Sequence, residues 1–85
     1  MSSKKDKTKP INNYYMGLAL ALARENAGLT KENPSVGCVL VKNNQIISTG
    51  ITSINGRPHA EYNAVKNSVD NVSGSTAYVY GAMHP

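Results

Sequence analysis

The hydrophobic and polar positions change period along the chain, and these changes predict five elements, two helices and three strands. In the first, Leu18 and Leu22 are four residues apart beside tyrosines and Ala19, as on one face of a helix. The Leu/Ala alternation over residues 18–23 resembles a strand, but its length, its alanines and the following Gly28 favour a helix. We therefore predict a helix over residues 12–27, with an asparagine at its start available as N-cap.

The middle of the chain has the alternation of a β-hairpin. VGCVLVK (residues 36–42) and QIISTG (residues 45–50) are rich in β-branched residues and flank the pair Asn43-Asn44. Asparagine tolerates positive φ, so this pair predicts a tight turn between two strands. Residues 51–58 have the composition of a loop.

A second helix and a third strand follow. Residues 59–68 come directly after a proline and carry an apolar stripe of alanines and a valine, which predicts a helix. STAYVY (residues 75–80) predicts a strand after Gly74. The order helix, hairpin, helix, strand indicates an α/β architecture in which helices pack on a small sheet.

Charge and composition change this picture little. The net charge is +4, but the first ten residues hold four lysines and one aspartate, so most of the basicity lies in a leader. We interpret residues 1–11 as a disordered, solvated leader; a nucleic-acid-binding arm is the alternative, and no recognition motif supports it. The chain has no stretch of signal-peptide or membrane-spanning type, so a cytoplasmic location is expected. Its single cysteine, Cys38, excludes an internal disulfide.

The chemical interest lies in GRPHAEYNAV (residues 56–65), which contains His59 and Glu61. Two residues apart on a helix, these side chains point about 200° apart, so they can share one site only at the helix tip. There an imidazole that holds zinc and a carboxylate that moves a proton suit hydrolytic deamination of an amidine-like ring carbon. The alternative is a chance match in which the histidine simply caps the helix.

Several segments together resemble a known family. They are YYMGLALALA (residues 14–23), NPSVGCVLVK (residues 33–42), QIISTG, GRPHAEYNAV and GSTAYVY (residues 74–80). In order and spacing they are similar to the amino-terminal deaminase half of the bifunctional riboflavin-biosynthesis deaminase/reductase. The resemblance covers residues 14–80 and implies a cytidine deaminase-like three-layer fold, of which the later strands and helices are missing here.

The resemblance also implies roles for individual residues. His59 would be a zinc ligand, Glu61 the proton shuttle and Asn33 a contact to the pyrimidine ring of a small-molecule ribosyl-phosphate substrate. We interpret Cys38 as a small core residue, since it lies on the strand beside the motif. Thr52 stands where family members usually carry a histidine.

The last residues depart from the family pattern. In the family the third strand runs into an E-P-C motif, which with a later cysteine completes the zinc site, whereas YVYGAMHP stands here. A catalytic zinc needs three protein ligands. We therefore expect residues 12–85 to be the N-terminal part of a CMP/dCMP-type deaminase domain that is truncated at its C-terminus, with weak or absent zinc binding and no activity of its own. A shift of reading frame after the Val79 codon is one explanation. A two-histidine site that uses His84 is an alternative.

The sequence also allows a second functional class, a protein without catalytic activity. A domain that lacks the later strands would expose the N–H and C=O groups of its third strand, and such an edge pairs readily with another chain. The alternative function is therefore a non-catalytic remnant or a small module that associates with itself through this edge. Membrane and nucleic-acid partners are not expected.

Overall fold

The computed structural model describes residues 10–30 and 33–82. These residues form α1 (Pro10–Glu25), β1 (Ser35–Lys42), β2 (Gln45–Ile51), α2 (Ala60–Asn67) and β3 (Thr76–Ala82). The mixed α/β architecture and the order of its elements are as predicted from the sequence. Neither helix in these ranges is long and apolar enough to cross a membrane.

The sheet is built around β1. Asn43 and Asn44 have φ values of 54° and 63°, so the two asparagines make the tight turn that joins β1 to β2. Strand β3 pairs with the other side of β1, which gives the order β2-β1-β3 with both pairings antiparallel. Strands β2 and β3 are therefore the two outer strands.

The two helices lie on opposite faces of this sheet, because successive side chains of β1 point to opposite sides. Val39 and Val41 pack with Tyr15 and Ala19 of α1. Cys38 and Leu40 pack with residues of α2 instead. The chain thus forms three layers, with β1 buried between two helices, as in the predicted deaminase-like arrangement.

The ends of the elements differ from the predictions by a few residues. Helix α1 begins at Pro10 and ends at Glu25, so Pro10 and Ile11 belong to it and not to the predicted leader. Proline fits the first turn of a helix because its missing N–H has no partner there. Asn12 consequently lies inside the helix, and the prediction of an asparagine N-cap was wrong.

The remaining boundaries are closer. Gly28 has a φ of 88° just beyond α1, which is the left-handed conformation of a helix stop. Helix α2 is one residue shorter at each end than predicted, and β3 extends to Ala82. Residues 1–9 of the predicted leader and His84 lie outside the described residues.

Candidate active site

His59 is the N-cap residue of α2. Its backbone is extended, with φ −75° and ψ 165°, and its side chain makes no capping hydrogen bond to the described backbone. The imidazole is therefore not used to satisfy the helix end, which argues against the capping alternative. Glu61 lies in the first turn of the same helix, where the helix dipole favours a carboxylate.

Asn33 reaches the site from the segment that precedes β1. Its backbone N–H donates to the Thr30 carbonyl at 3.0 Å, and its own carbonyl accepts from the Thr30 hydroxyl. Its side-chain Nδ2 donates to the Gly56 carbonyl at 3.4 Å. Gly56 has a φ of 90°, and a Cβ at this position would collide with the Asn33 amide, so only glycine allows the two segments to approach this closely.

One cavity brings the three predicted site residues together. It has a volume of about 340 Å³ and is lined by Asn33, Pro34, Val36, His59, Glu61, Val79 and Gly81. His59 and Glu61 therefore both line this cavity at the first turn of α2, as their spacing requires if they are to serve one site. The geometry places Asn33 in the same cavity, although it is 26 residues away from His59 in the sequence.

The floor of the cavity was not predicted. It is formed by Val36 of β1 with Val79 and Gly81 of β3, and Val36 pairs directly with Gly81. Val79 pairs with Cys38, so it projects on the side of the sheet that α2 occupies. The alternation of β3 could have identified these residues, but only once the pairing of β3 with β1 was known.

Cys38 lies in the core, as predicted. Its side chain is fully buried and packs with Leu40, Ala60 and Ala64. Burial, with a smaller contribution from the charge of Glu61, raises the pKa of the Cys38 thiol to about 11. A thiol that keeps its proton in this way is a poor metal ligand, because metals bind the thiolate.

Thr52 is fully buried and lies outside the cavity. Its hydroxyl accepts from the Val36 N–H at 3.0 Å and donates to the Val36 carbonyl at 3.3 Å. Its own carbonyl accepts from Asn26 Nδ2 at 2.9 Å. Thr52 therefore ties the end of β2 to β1 and to the turn after α1, which is a structural task.

The donors present do not complete a zinc site. No group of three or more His, Cys, Asp or Glu side chains that could hold a metal occurs within residues 10–30 and 33–82. A catalytic zinc needs three protein ligands and one open position. Of the residues in the cavity, His59 offers the imidazole and Glu61 the carboxylate, and the other lining residues carry no metal-binding group of this kind.

His59 and Glu61 at the start of α2 match the His-x-Glu part of the zinc-deaminase signature. The family model described as "Cytidine and deoxycytidylate deaminase zinc-binding region" matches residues 9–85. The chain therefore belongs to the cytidine and deoxycytidylate deaminase family.

Within that family the similarity is to riboflavin-biosynthesis deaminases. The chain is 49% identical over 65 residues to the riboflavin biosynthesis protein RibD of Actinobacillus pleuropneumoniae. This alignment covers 76% of the chain and 17% of that protein. It is 42% identical over 66 residues to the diaminohydroxyphosphoribosylamino-pyrimidine deaminase of Buchnera aphidicola. This alignment covers 78% of the chain and 45% of that protein. The chain thus spans less than half the length of these relatives.

Solved structures give the same result. Acinetobacter baumannii RibD, form 2, superimposes with a TM-score of 0.75 at 42% identity, over 81% of this chain and 20% of that one. A deaminase/reductase from Thermotoga maritima gives a TM-score of 0.76 at 33% identity, over 81% of this chain and 21% of that one. The resemblance to the riboflavin-biosynthesis deaminase and the partial three-layer fold are therefore confirmed.

Proposed function

We propose that this chain forms one wall of a zinc-dependent pyrimidine deaminase site, with His59 as a metal ligand, Glu61 as the proton carrier and Asn33 as a contact to the pyrimidine ring. The observation that supports this most directly is the single cavity that these three side chains line. The name of the Buchnera relative gives the substrate class, a diaminopyrimidine that carries a ribosyl phosphate.

The chemistry of the residues agrees with these roles. A carboxylate in the first turn of a helix can accept a proton and return it to a departing amine, provided that it faces the reacting carbon. Glu61 lies there and lines the cavity. Asn33 offers an amide for hydrogen bonds to the ring edge, and Val36 and Val79 offer an apolar surface for the ring face.

The chain by itself is proposed to be inactive. The whole sequence contains two histidines and one cysteine, and the cysteine is buried with its proton retained. The described donors therefore fall short of the three ligands that hold a catalytic zinc. Zinc binding is expected to be weak, and further ligands would have to come from another segment.

Binding of the substrate compound tests the site. The diaminopyrimidine ribosyl phosphate, added to isotope-labelled chain, should shift the amide signals of Val36, Val79 and Gly81. Asn33→Ala should weaken binding by about tenfold, since one hydrogen bond in a partly desolvated site is lost. Asn13→Ala, at an exposed position of α1 that does not line the cavity, is the control and should leave affinity unchanged. Shifts confined to other parts of the sheet would contradict the assignment.

Zinc titration and ammonia release test the metal role. Weak zinc binding is expected to disappear in His59→Ala, and His84→Ala decides whether a second histidine contributes. Ammonia release by the chain alone should stay at the level of the buffer and should be the same in Glu61→Gln. Stoichiometric tight zinc, or release that depends on Glu61, would overturn the proposed inactivity and support a complete site.

Self-association through β3 is the second proposal. Within the described residues β3 is an outer strand, and Val79 and Tyr80 on it are 36% and 44% exposed. Sedimentation at increasing concentration would reveal association. Ala77→Lys on β3 should abolish it because a charge on an outer strand opposes pairing, whereas Ile46→Lys on β2 should not. A monomer at all concentrations would rule the proposal out.

A further inference from the structure

Two asparagines of α2 follow the outer edge of β2. Asn63 Nδ2 donates to the Ile51 carbonyl at 2.7 Å, and Asn67 Nδ2 donates to the Thr49 carbonyl at 3.1 Å. Four residues of helix rise about 6.0 Å and two residues of strand about 6.7 Å, so the two amides and the two carbonyls have nearly the same spacing. These bonds therefore fix how far α2 lies along β2.

Asn63 makes contacts that Asn67 does not. Its Nδ2 also lies 3.1 Å from the Ser53 hydroxyl oxygen and 3.3 Å from the Pro58 carbonyl. Its backbone N–H donates to the His59 carbonyl at 3.0 Å. One residue thus contacts the end of β2, the following loop and the peptides on both sides of the His59 α-carbon.

The Pro58 carbonyl is where these contacts converge. It accepts from the Ser53 N–H at 3.1 Å as well as from Asn63, and the Gly56 N–H closes the same loop onto the Ser53 carbonyl at 2.8 Å. The orientation of the peptide between Pro58 and His59 is therefore held from two directions. Because that peptide sets how the chain enters α2, it also sets the direction in which the His59 side chain leaves the backbone.

We propose that Asn63 is a positioning residue, which directs the His59 imidazole into the cavity by holding the Pro58 carbonyl and the loop of residues 51–58. This inference rests on the proposed function of His59. Asn67 shares the bond to β2 but lies one turn further along α2, and among the described residues it contacts no part of that loop.

The comparison of Asn63→Ala with Asn67→Ala tests the proposal. Both changes remove one amide from the same short helix and free one carbonyl of β2. In Asn63→Ala the amide hydrogens of Ser53 and Gly56 should exchange about tenfold faster, because the loop opens at lower cost. In Asn67→Ala their exchange should change less than about twofold.

The conformation of His59 is the decisive readout. Residual dipolar couplings of labelled protein should show one orientation of the His59 Cα–Cβ bond in the unmodified chain and in Asn67→Ala, and averaging of that orientation in Asn63→Ala. Ser53→Ala removes only one of the acceptors and should give an intermediate result. A purely structural role of Asn63 would lower the unfolding midpoint without averaging at His59, and that result would overturn the proposal.

The same variants separate this inference from the proposed function. If the diaminopyrimidine ribosyl phosphate binds, its affinity should fall in Asn63→Ala and stay unchanged in Asn67→Ala. If it does not bind the unmodified chain, the proposed function fails, but the couplings of His59 still decide the role of Asn63. Equal effects of the two alanine variants on the loop and on His59 would contradict a special role for Asn63.

Discussion

The two helices approach the sheet through the same kind of contact but are held there differently. Gly37 of β1 lies against the backbone of α1, and Gly50 of β2 lies against the backbone of α2. Beyond this contact, α1 has 16 residues and packs Tyr15 into an apolar cluster. Helix α2 has eight residues and buries only two alanines.

Polar bonds compensate for the small buried surface of α2. The amides of Asn63 and Asn67 reach carbonyls of β2, and the Ser48 hydroxyl donates to the Ala64 carbonyl at 2.6 Å. Hydrogen bonds add only about 0.5–1.5 kcal/mol each, but unlike apolar contacts they are directional. We therefore expect the α1 layer to contribute more of the stability and the α2 layer to position the site.

The largest effect is expected from Gly37→Ala. A Cβ at this position would collide with the backbone of Ala19 and Ala23, which cannot move away as a side chain could. We expect a loss of about 3 kcal/mol or more in the free energy of unfolding, measured by urea titration.

Gly17→Ala is the control for this change. Gly17 lies on α1, the helix that Gly37 contacts, and nothing lies within 4 Å of a Cβ added to Gly17. This variant should gain about 0.5–1 kcal/mol because alanine favours the helix. A mild effect of Gly37→Ala would show that α1 is not packed as tightly as the contact implies.

Gly50→Ala applies the same change to the α2 layer. The new Cβ would meet the backbone of Ala60 and Ala64 and push the helix away from β2. Since α2 buries less apolar surface, we expect a smaller loss, about 1–3 kcal/mol. In two-dimensional spectra the signals of His59 and Glu61 should shift strongly while those of Tyr15 stay in place. Equal disturbance of both layers would contradict the division of tasks between them.

A pH dependence is expected from Cys38, which lies between α2 and the sheet. Its pKa is raised from 9.0 to about 11 in the folded chain, so the unfolded chain loses this proton first as the pH rises. The stabilisation is complete below pH 9 and is lost as the pH rises through about 11. Its full size is on the order of 3 kcal/mol.

The variant Cys38→Ala isolates this effect from the titration of the tyrosines. The difference in unfolding free energy between the unmodified chain and Cys38→Ala should be constant up to pH 9 and should fall between pH 9 and 11. If the difference stays constant across that range, the thiol is not held in its protonated form by the fold.

The two layers also differ in how far the sequence predicted them. The α1 layer and the hairpin follow from local signals, namely the i, i+4 leucines, the stop at Gly28 and the Asn43-Asn44 turn. The contacts of Asn63 and Asn67 have no such signal, because asparagine is a weak helix former and its partners depend on which strand lies beside the helix. The spacing of four residues between Asn63 and Asn67 can be read from the sequence. That β2 provides the carbonyls that accept their hydrogen bonds cannot.

The candidate site was predicted in part for the same reason. Two short motifs and a family resemblance predict His59, Glu61 and Asn33 as site residues. The structure places all three in one cavity, while their roles stay proposals. The apolar floor required the pairing of β1 with β3, which is a contact between distant parts of the chain. Residues that carry the chemistry occur in recognisable motifs. The apolar residues around them can be identified only when the strand register is known.

The smallest effect should come from Tyr15→Phe, which asks whether the α1 layer also depends on a polar bond. Tyr15 is 5% exposed, and its hydroxyl donates to the Asn44 carbonyl in the hairpin turn at 3.1 Å. Loss of that bond should cost about 1 kcal/mol by urea titration, with no change at His59. Tyr62→Phe, at a side chain that is 59% exposed on α2, should cost less than about 0.5 kcal/mol. If Tyr15→Phe is as mild as Tyr62→Phe, the Tyr15 hydroxyl adds nothing to the packing of α1, and the buried bond from the Ser35 hydroxyl to the Ala23 carbonyl is the polar contact left between α1 and β1 among the described residues. If Tyr15→Phe instead moves the signals of His59, the layers are coupled through β1 and the contrast between them is lost.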